Sequence, residues 1–144
     1  MKNLLIILTL ISAITLNSCA QQETMIDSWN LPTAAQEFIS THFSSYEISF
    51  VMKDKELFET TYEVILNNGD KIDFNKSGEW EDIDCPYSKV PTVIIPEKIL
   101  TFVQSKYPDY YIISIGKDKK HYEIELNNDL DLKFDLNYNL IEID

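Results

Sequence analysis

The sequence predicts an α+β fold in which two tandem α-β-β-β units share one antiparallel sheet and lay both helices on the same face. Three observations predict it. First, the chain carries nearly the same text twice. Leu31-Pro32, a helix pattern ending near Phe43, Tyr62-Glu63-Val64-Ile65-Leu66-Asn67-Asn68 and Ile83-Asp84 are answered by Ile95-Pro96, a helix pattern ending near Tyr107, Tyr122-Glu123-Ile124-Glu125-Leu126-Asn127-Asn128 and Ile143-Asp144. A fixed period of this kind marks two copies of one supersecondary unit. Second, Tyr62, Val64 and Leu66, like Tyr122, Ile124 and Leu126, alternate with other residues, as half-buried antiparallel strands do. Third, one unit of about fifty residues buries too little surface to stand alone, so two must share a core.

The elements follow in order. Met1-Lys2-Asn3 is a short cationic start, and Leu4 to Leu16 is an apolar run of signal-peptide length, too short to span a membrane comfortably. It ends in Leu16-Asn17-Ser18-Cys19, which is similar to a bacterial lipobox. That resemblance implies a lipoprotein signal peptide over 1–18, cleavage after Ser18, a diacylglycerol on Cys19 and acylation of the new amino terminus. Several acyl chains anchor durably where one is marginal. Ala20 stands where the model Gram-negative sorting signal for inner-membrane retention has Asp, so by analogy the destination is the outer membrane. Residues 19–30 read as a polar, lipid-anchored tether.

Repeat 1 covers 31–84. Pro32 opens a helix in whose first turn a missing N–H costs little. Ala35, Phe38, Ile39 and His42/Phe43 form its buried stripe. Strands are expected over Tyr46 to Met52, Tyr62 to Leu66, Lys71 to Phe74 and Trp80 to Ile83. Asn67-Asn68-Gly69-Asp70 reads as a tight primed hairpin turn, because Asn and Gly accept positive φ. A connector over 85–94 holds Cys85, Pro86 and Pro91. Repeat 2 covers 95–144, with Pro96, then Ile99, Phe102, Val103 and Lys106/Tyr107, then strands from Tyr110 to Ile115 and onward. Asn127-Asn128-Asp129 lacks the glycine and is expected to turn less tightly. Repeat 1 also carries about four extra residues near Lys53 to Thr61.

Composition narrows the function. The 144 residues carry a formal net charge of −12, with 24 acidic residues against 12 basic, and every basic residue is Lys. Nucleic-acid binding is not expected, since it needs clustered cations and leans on Arg for base readout. With Cys19 lipidated, Cys85 is a lone thiol without an intramolecular partner.

Tyr62-Glu-Val-x-Leu-x-Asn-Gly69, Phe74-x-x-x-Gly78-x-Trp80, the Val90-Pro91 and Ile95-Pro96 turns and the lipoprotein leader together resemble the PepSY-like, putative beta-lactamase-inhibitor-like family of Bacteroidetes secreted and lipid-anchored proteins. The resemblance covers nearly the whole mature chain and implies a two-repeat α+β fold with a curved antiparallel sheet. It implies little about activity, since the family name borrows from a structural likeness to an inhibitor and PepSY domains are only proposed to restrain peptidases. No position matches an inhibitory motif.

Chemistry is sparse. Cys85 with His42 or His121 is the one conceivable nucleophile–base pairing, but Cys85 sits in the acidic run Asp82-Ile83-Asp84-Cys85, whose carboxylates raise a thiol pKa. Asp135-x-Asn137-x-Asn139 has the opening spacing of a calcium loop, but Leu140 stands where the sharp turn wants Gly and no Glu follows at the twelfth place. The histidines lie in different units without ligand spacing. No cofactor and no metal site is therefore expected, and no enzyme activity. Glu63, Glu123, Glu125 and Lys133, with Asp73 and Lys71, are expected to project from the open sheet face as a recognition surface. Tyr87 and Tyr111 serve as loop anchors for a protein or peptide partner. Membrane contact is expected through the lipid anchor only. The alternatives are a structural or accessory envelope lipoprotein without a ligand, and a weak calcium-binding module.

Overall fold

The computed structural model describes residues 22–144, so the signal segment and Cys19 lie outside the described residues. The described chain folds as β1 Gln22–Ile26, a 3₁₀ turn Ser28–Asn30, α1 Thr33–His42, β2 Ile48–Lys55, β3 Thr60–Leu66, β4 Lys71–Asn75, β5 Trp80–Asp84, α2 Glu97–Lys106, β6 Ile112–Lys117, β7 His121–Leu126, β8 Asp131–Asp135 and β9 Leu140–Ile143. The nine strands form one sheet in chain order, every neighbour antiparallel, an open curved meander. The α+β architecture with one curved antiparallel sheet is the one expected, but each helix is followed by four strands, β2–β5 and β6–β9, where the α-β-β-β unit has three.

Each helix starts at a proline whose ring fixes φ at −53°, Pro32 and Pro96, and ends where the Phe43 and Tyr107 amides donate to Ile39 and Val103. Ala35, Ile39 and Phe43 from the first helix and Ile99 and Val103 from the second are buried in one cluster with the sheet. The packing repeats. Phe38 meets Phe74 edge-on at 5.8 Å and 81°, and Phe102 meets Phe134 at 5.5 Å and 83°. Such edge-to-face pairs are worth about 0.5–1.5 kcal/mol beyond the area they bury.

The halves join at β5–β6, where Asp82, Ile83 and Asp84 lie opposite Gly116, Ile115 and Ser114. The connector continues the seam: Cys85 N–H donates to Ile113 O at 2.7 Å and Val90 N–H to Ile112 O at 3.1 Å. Asp70, 1% exposed, secures it from repeat 1, its carboxylate accepting Ser88 Oγ–H at 3.0 and 3.1 Å and Asn68 Nδ2–H at 2.7 Å.

Several expectations are corrected. Within the segment read as a tether, Gln22–Ile26 is an edge strand on β2 and Ser28–Asn30 a helical turn. Strands expected from Tyr46 and Tyr110 begin two residues later. The residues before them are held instead by Asn67 and Asn127, whose Oδ1 atoms accept the Glu47 and Tyr111 amides. The Asn-Asn-Gly turn is not a primed two-residue turn. Only Gly69 has positive φ (91°), and Leu66 bonds both Gly69 N–H and Asp70 O, a three-residue loop closed by a left-handed residue. Its twin is equally tight. Asp129 takes the left-handed place at φ 62°, with the same two bonds from Leu126, both 3.0 Å. Likewise Tyr138 (φ 66°) stands where repeat 1 has Gly78 (φ 86°).

These turns separate a required glycine from a tolerated substitute. A Cβ on Gly78 meets Ala35 N and Pro32 Cβ at 2.8 Å, backbone that cannot yield cheaply. Gly78→Ala should therefore lower the urea-derived unfolding free energy by about 2 kcal/mol. Asp129→Gly relieves φ strain and should raise it by about 0.5 kcal/mol. A comparable loss in both variants would contradict this account of the turns.

Candidate functional site

Strand register decides what the open face presents. Val51, Val64, Ile72, Ile83, Ile115, Ile124 and Leu132 pair across the sheet as one buried row beneath the helices. Side chains alternate faces along a strand. The next row, on the opposite face, reads Met52, Glu63, Asp73, Asp82, Gly116, Glu123, Lys133 and Glu142. A second outward row reads Ile65, Lys71, Asp84, Ser114, Glu125 and Asp131. No helix covers either row. The result is a carboxylate band crossing both repeats, punctuated by two lysines.

The lysines bridge neighbours. Lys71 Nζ lies 3.4 Å from Asp73 and 3.9 Å from Glu63; Lys133 Nζ lies 3.0 Å from Glu123 and 3.4 Å from Glu142. Exposed pairs of this kind add little to stability, because solvent and salt screen them. The hydrogen bond from Lys133, with His121 beside it, holds the Glu123 carboxyl below its ordinary value. In the middle of the band the opposite holds. Burial, then Asp73, pushes Asp82 up, and burial, opposed by Lys71, pushes Asp73 up. Burial, then Asp131 and Asp84, raises Glu125. Gly116 makes room in this row, since a Cβ there would stand 3.0 Å from Asp82 Oδ1. A recess of about 260 Å³ lies among Asp82, Ser114, Glu123, Glu125, Asp131 and Lys133.

The structure places Glu63, Glu123, Glu125 and Lys133 on this face. The last three sit on adjacent strands, while Glu63 stands four strand spacings, about 19 Å, from Glu123 in the same row. The two tyrosines are elsewhere. Tyr87, 85% exposed, lies over Gly69 at the strand end, and Tyr111 stacks under Lys89 Nζ, 4.6 Å from its ring centre. Asp82, Asp84, Asp131 and Glu142 belong to the band and were missed. Their signal was present, since Asp82-Ile83-Asp84 and Asp131-Leu132-Lys133 alternate just as Glu63-Val64-Ile65 does.

The remaining candidates resolve into structural roles. Burial, then Asp70, pushes the Cys85 thiol up to about 12, the reverse of what a nucleophile needs, and neither histidine acts on it. His121 lies 2.8 Å from Asp118 and 3.1 Å from Glu123; His42 packs on Phe38. Asp135 caps its own turn, accepting Asn137 N–H at 2.9 Å, Asn139 N–H at 2.8 Å and Asn139 Nδ2–H at 3.0 Å. Asn75 does the same in repeat 1, so the Asp-x-Asn-x-Asn spacing is explained by the turn. Among the described residues no cluster of three or more His, Cys, Asp or Glu is arranged to hold a metal ion.

The family model described as "Putative beta-lactamase-inhibitor-like, PepSY-like" matches residues 60–142, more than half of the chain. No curated protein matches. Solved structures do. One, described as a "putative calcium-regulated periplasmic protein" from Bacteroides thetaiotaomicron, is 42% identical with a TM-score of 0.83, over 85% of this chain and 96% of that one. A second, a "putative periplasmic protein" of the DUF2874 family from Bacteroides vulgatus, is 38% identical with a TM-score of 0.84, over 87% and 98%. A third, from the same organism and described as of unknown function, is 33% identical with a TM-score of 0.82, over 85% and 99%.

The raised carboxylates carry a pH signature. A carboxyl whose folded pKa exceeds its unfolded value costs stability above the folded pKa, and the cost vanishes once pH falls below the unfolded one. Asp82→Asn should therefore raise Tm at neutral pH and leave it unchanged near about pH 3, where both states are protonated. Equal shifts at both pH values, read by calorimetry, would mean the effect is not electrostatic.

Proposed function

The chain belongs to the Putative beta-lactamase-inhibitor-like, PepSY-like family, and from that premise we propose a non-enzymatic cell-envelope protein, lipid-anchored through Cys19, that binds a protein or peptide on the open face of its sheet. The observation that carries this reading is the band of carboxylates, left uncovered by the helices and partly desolvated by the fold itself. Such a face suits a partner that brings clustered cations, because opposite potentials steer the encounter and penalise wrong partners. Inhibition or regulation of a secreted peptidase or hydrolase is one form this binding takes. A non-enzymatic role is supported by the buried, protonated Cys85 thiol and by turn-capping Asp135. Location is supported by the lipobox at Leu16 to Cys19 and by the periplasmic description of the similar structures. Among the described residues no helix is long and apolar enough to cross a membrane. The outer membrane is the proposed anchoring site.

Affinity capture from envelope extract tests the face. Wild-type chain should retain a partner whose recovery falls as salt rises, and Glu123→Lys/Glu125→Lys should lose it. Equal recovery by both chains removes the face from the proposal.

One observation favours a second reading, calcium binding, since a structure 42% identical is described as calcium-regulated. The Asp135 oxygens serve the turn and no metal cluster is preformed among the described residues, so such a site would have to be drawn together from the carboxylate band by the ion itself. Titration calorimetry with calcium chloride, against magnesium chloride, decides it. Saturable calcium heat that Asp82→Asn abolishes would favour this reading; no heat leaves the protein partner.

A further inference from the structure

One end of the sheet gathers features that the fold does not use. β1 runs antiparallel to β2 with Gln22 opposite Lys55, so the described chain begins beside the β2–β3 turn. That turn is closed by the Glu56 amide donating to Glu59 O at 2.9 Å, and its two central residues are Leu57, 76% exposed, and Phe58, 96% exposed. No core packing holds either of them outward.

The tip also projects. Repeat 1 runs from Ile48 to Leu66 where repeat 2 runs from Ile112 to Leu126, the same hairpin four residues shorter. Two residues per strand carry Leu57 and Phe58 about 7 Å beyond the β6–β7 tip. The shorter tip is polar, with Asp118 accepting the Lys120 and His121 amides at 2.7 and 2.9 Å.

In a meander of antiparallel strands the β2–β3, β4–β5, β6–β7 and β8–β9 turns all lie at this end. Lys53, Lys55, Lys76, Lys117, Lys119 and Lys120 belong to it, half of the chain's 12 basic residues. Glu23, Asp54, Glu56, Glu59, Glu79, Asp118 and Asp135 lie here too, so this end is close to neutral, and Lys53 and Lys117 stack over Tyr62 and Trp80; in a chain of net charge −12 it is the end richest in Lys, whereas the opposite end holds Asp70, Asp84, Asp129 and Asp144. Residues 20 and 21 alone lie between Cys19 and β1, so the three steps from Cys19 to Gln22 reach about 10 Å even when fully extended.

We propose that this end is a membrane-contacting surface, its occupant the bilayer leaflet that holds the anchor, with Leu57 and Phe58 entering the headgroup–acyl boundary and the lysines meeting lipid phosphates. The proposal rests on the lipidation of Cys19 proposed above. Paired signals, acyl chains plus an apolar protein tip, hold a domain in one orientation where a chain on a long tether would tumble. Glu56 and Glu59, one residue behind the inserted pair, lie at the level of the headgroups. The carboxylate band then stands off the membrane, open to partners.

The test uses the processed, acylated chain reconstituted into phosphatidylcholine–phosphatidylglycerol vesicles with brominated acyl chains. An environment-sensitive thiol dye is placed by Glu56→Cys or, at the opposite end, by Asn128→Cys. Cys85 is fully buried and Cys19 is a thioether, so the new thiol alone reacts. Dye at 56 should lose most of its emission to bromine and dye at 128 should keep it. Adding Leu57→Ser/Phe58→Ser to the first variant should restore emission while the chain still floats with vesicles. Equal emission from 56 and 128 in floating chain overturns the orientation and leaves the tip to a protein partner. Quenching that survives the double serine change overturns the role of Leu57 and Phe58. Unmodified Cys19 by mass spectrometry, with chain that does not float, overturns the anchor and this proposal with it.

Discussion

Register is the constraint on which the rest of this structure depends. The row from Val51 through Ile83 to Leu132 lies against both helices, and a side-chain period of two then forces Glu63, Asp73, Asp82 and Glu123 to the other face. A one-residue slip would exchange the rows and bury unpaired carboxylates at several kcal/mol each. The apolar core therefore specifies the acidic face indirectly. The seam most exposed to slippage is β5–β6, where only three residue pairs join the repeats. Cys85 and Val90 extend the bonding onto Ile113 and Ile112, and both are buried, so the halves share one core.

The duplicated units differ where their neighbours differ. Asp70 is nearly inaccessible because the connector folds back over it and Ser88 needs an acceptor. The matching position in repeat 2 is Leu130, an apolar residue partly buried against the core. Lys71 and Asp73 in repeat 1 become Asp131 and Lys133 in repeat 2, reversing the order of charge while keeping one cation on each half of the face. Turn residues drift in the same way, since Asp129 and Tyr138 hold a left-handed conformation that Gly69 and Gly78 adopt freely.

Most of the fold was legible because periodicity reports burial, and burial is what the repeats conserve between them. Tyr62, Val64 and Leu66 and their counterparts read as inward, and they are inward. β1 was not legible. Gln22 to Met25 are exposed, so an edge strand held mainly by backbone bonds to β2 leaves no apolar alternation to read. Asn67 and Asn127 read as turn formers, while their side chains clamp the segments before β2 and β6. On the face, residues within the repeated phrase were placed outward, but Asp82 and Asp84 were not. The alternation about Ile83 marks them as outward, but that they adjoin Gly116 and Ser114 of the other repeat is invisible to a reading that treats each unit alone.

The seam also sets the electrostatics at the centre of the band, chiefly by burying it. Asp82 lies between Asp73 on β4 and Gly116 on β6; burial is the main cause that pushes its carboxyl up, Asp73 adds to it, Lys71 opposes, and Asp84 and, from the other repeat, Glu123 contribute least. A fold selected only for stability gains nothing from this arrangement, and an amide at this position removes the repulsion while keeping the shape. On the reading proposed here, the desolvation of Asp73 and Asp82 is incurred on folding, before any partner arrives. A cation reaching them then recovers Coulomb energy without the full dehydration cost that usually cancels it. The flanks work differently. Lys133 already pairs with Glu123, and Lys71 reaches Asp73 at 3.4 Å before Glu63 at 3.9 Å, so attraction is strongest at Asp82, on the inter-repeat seam.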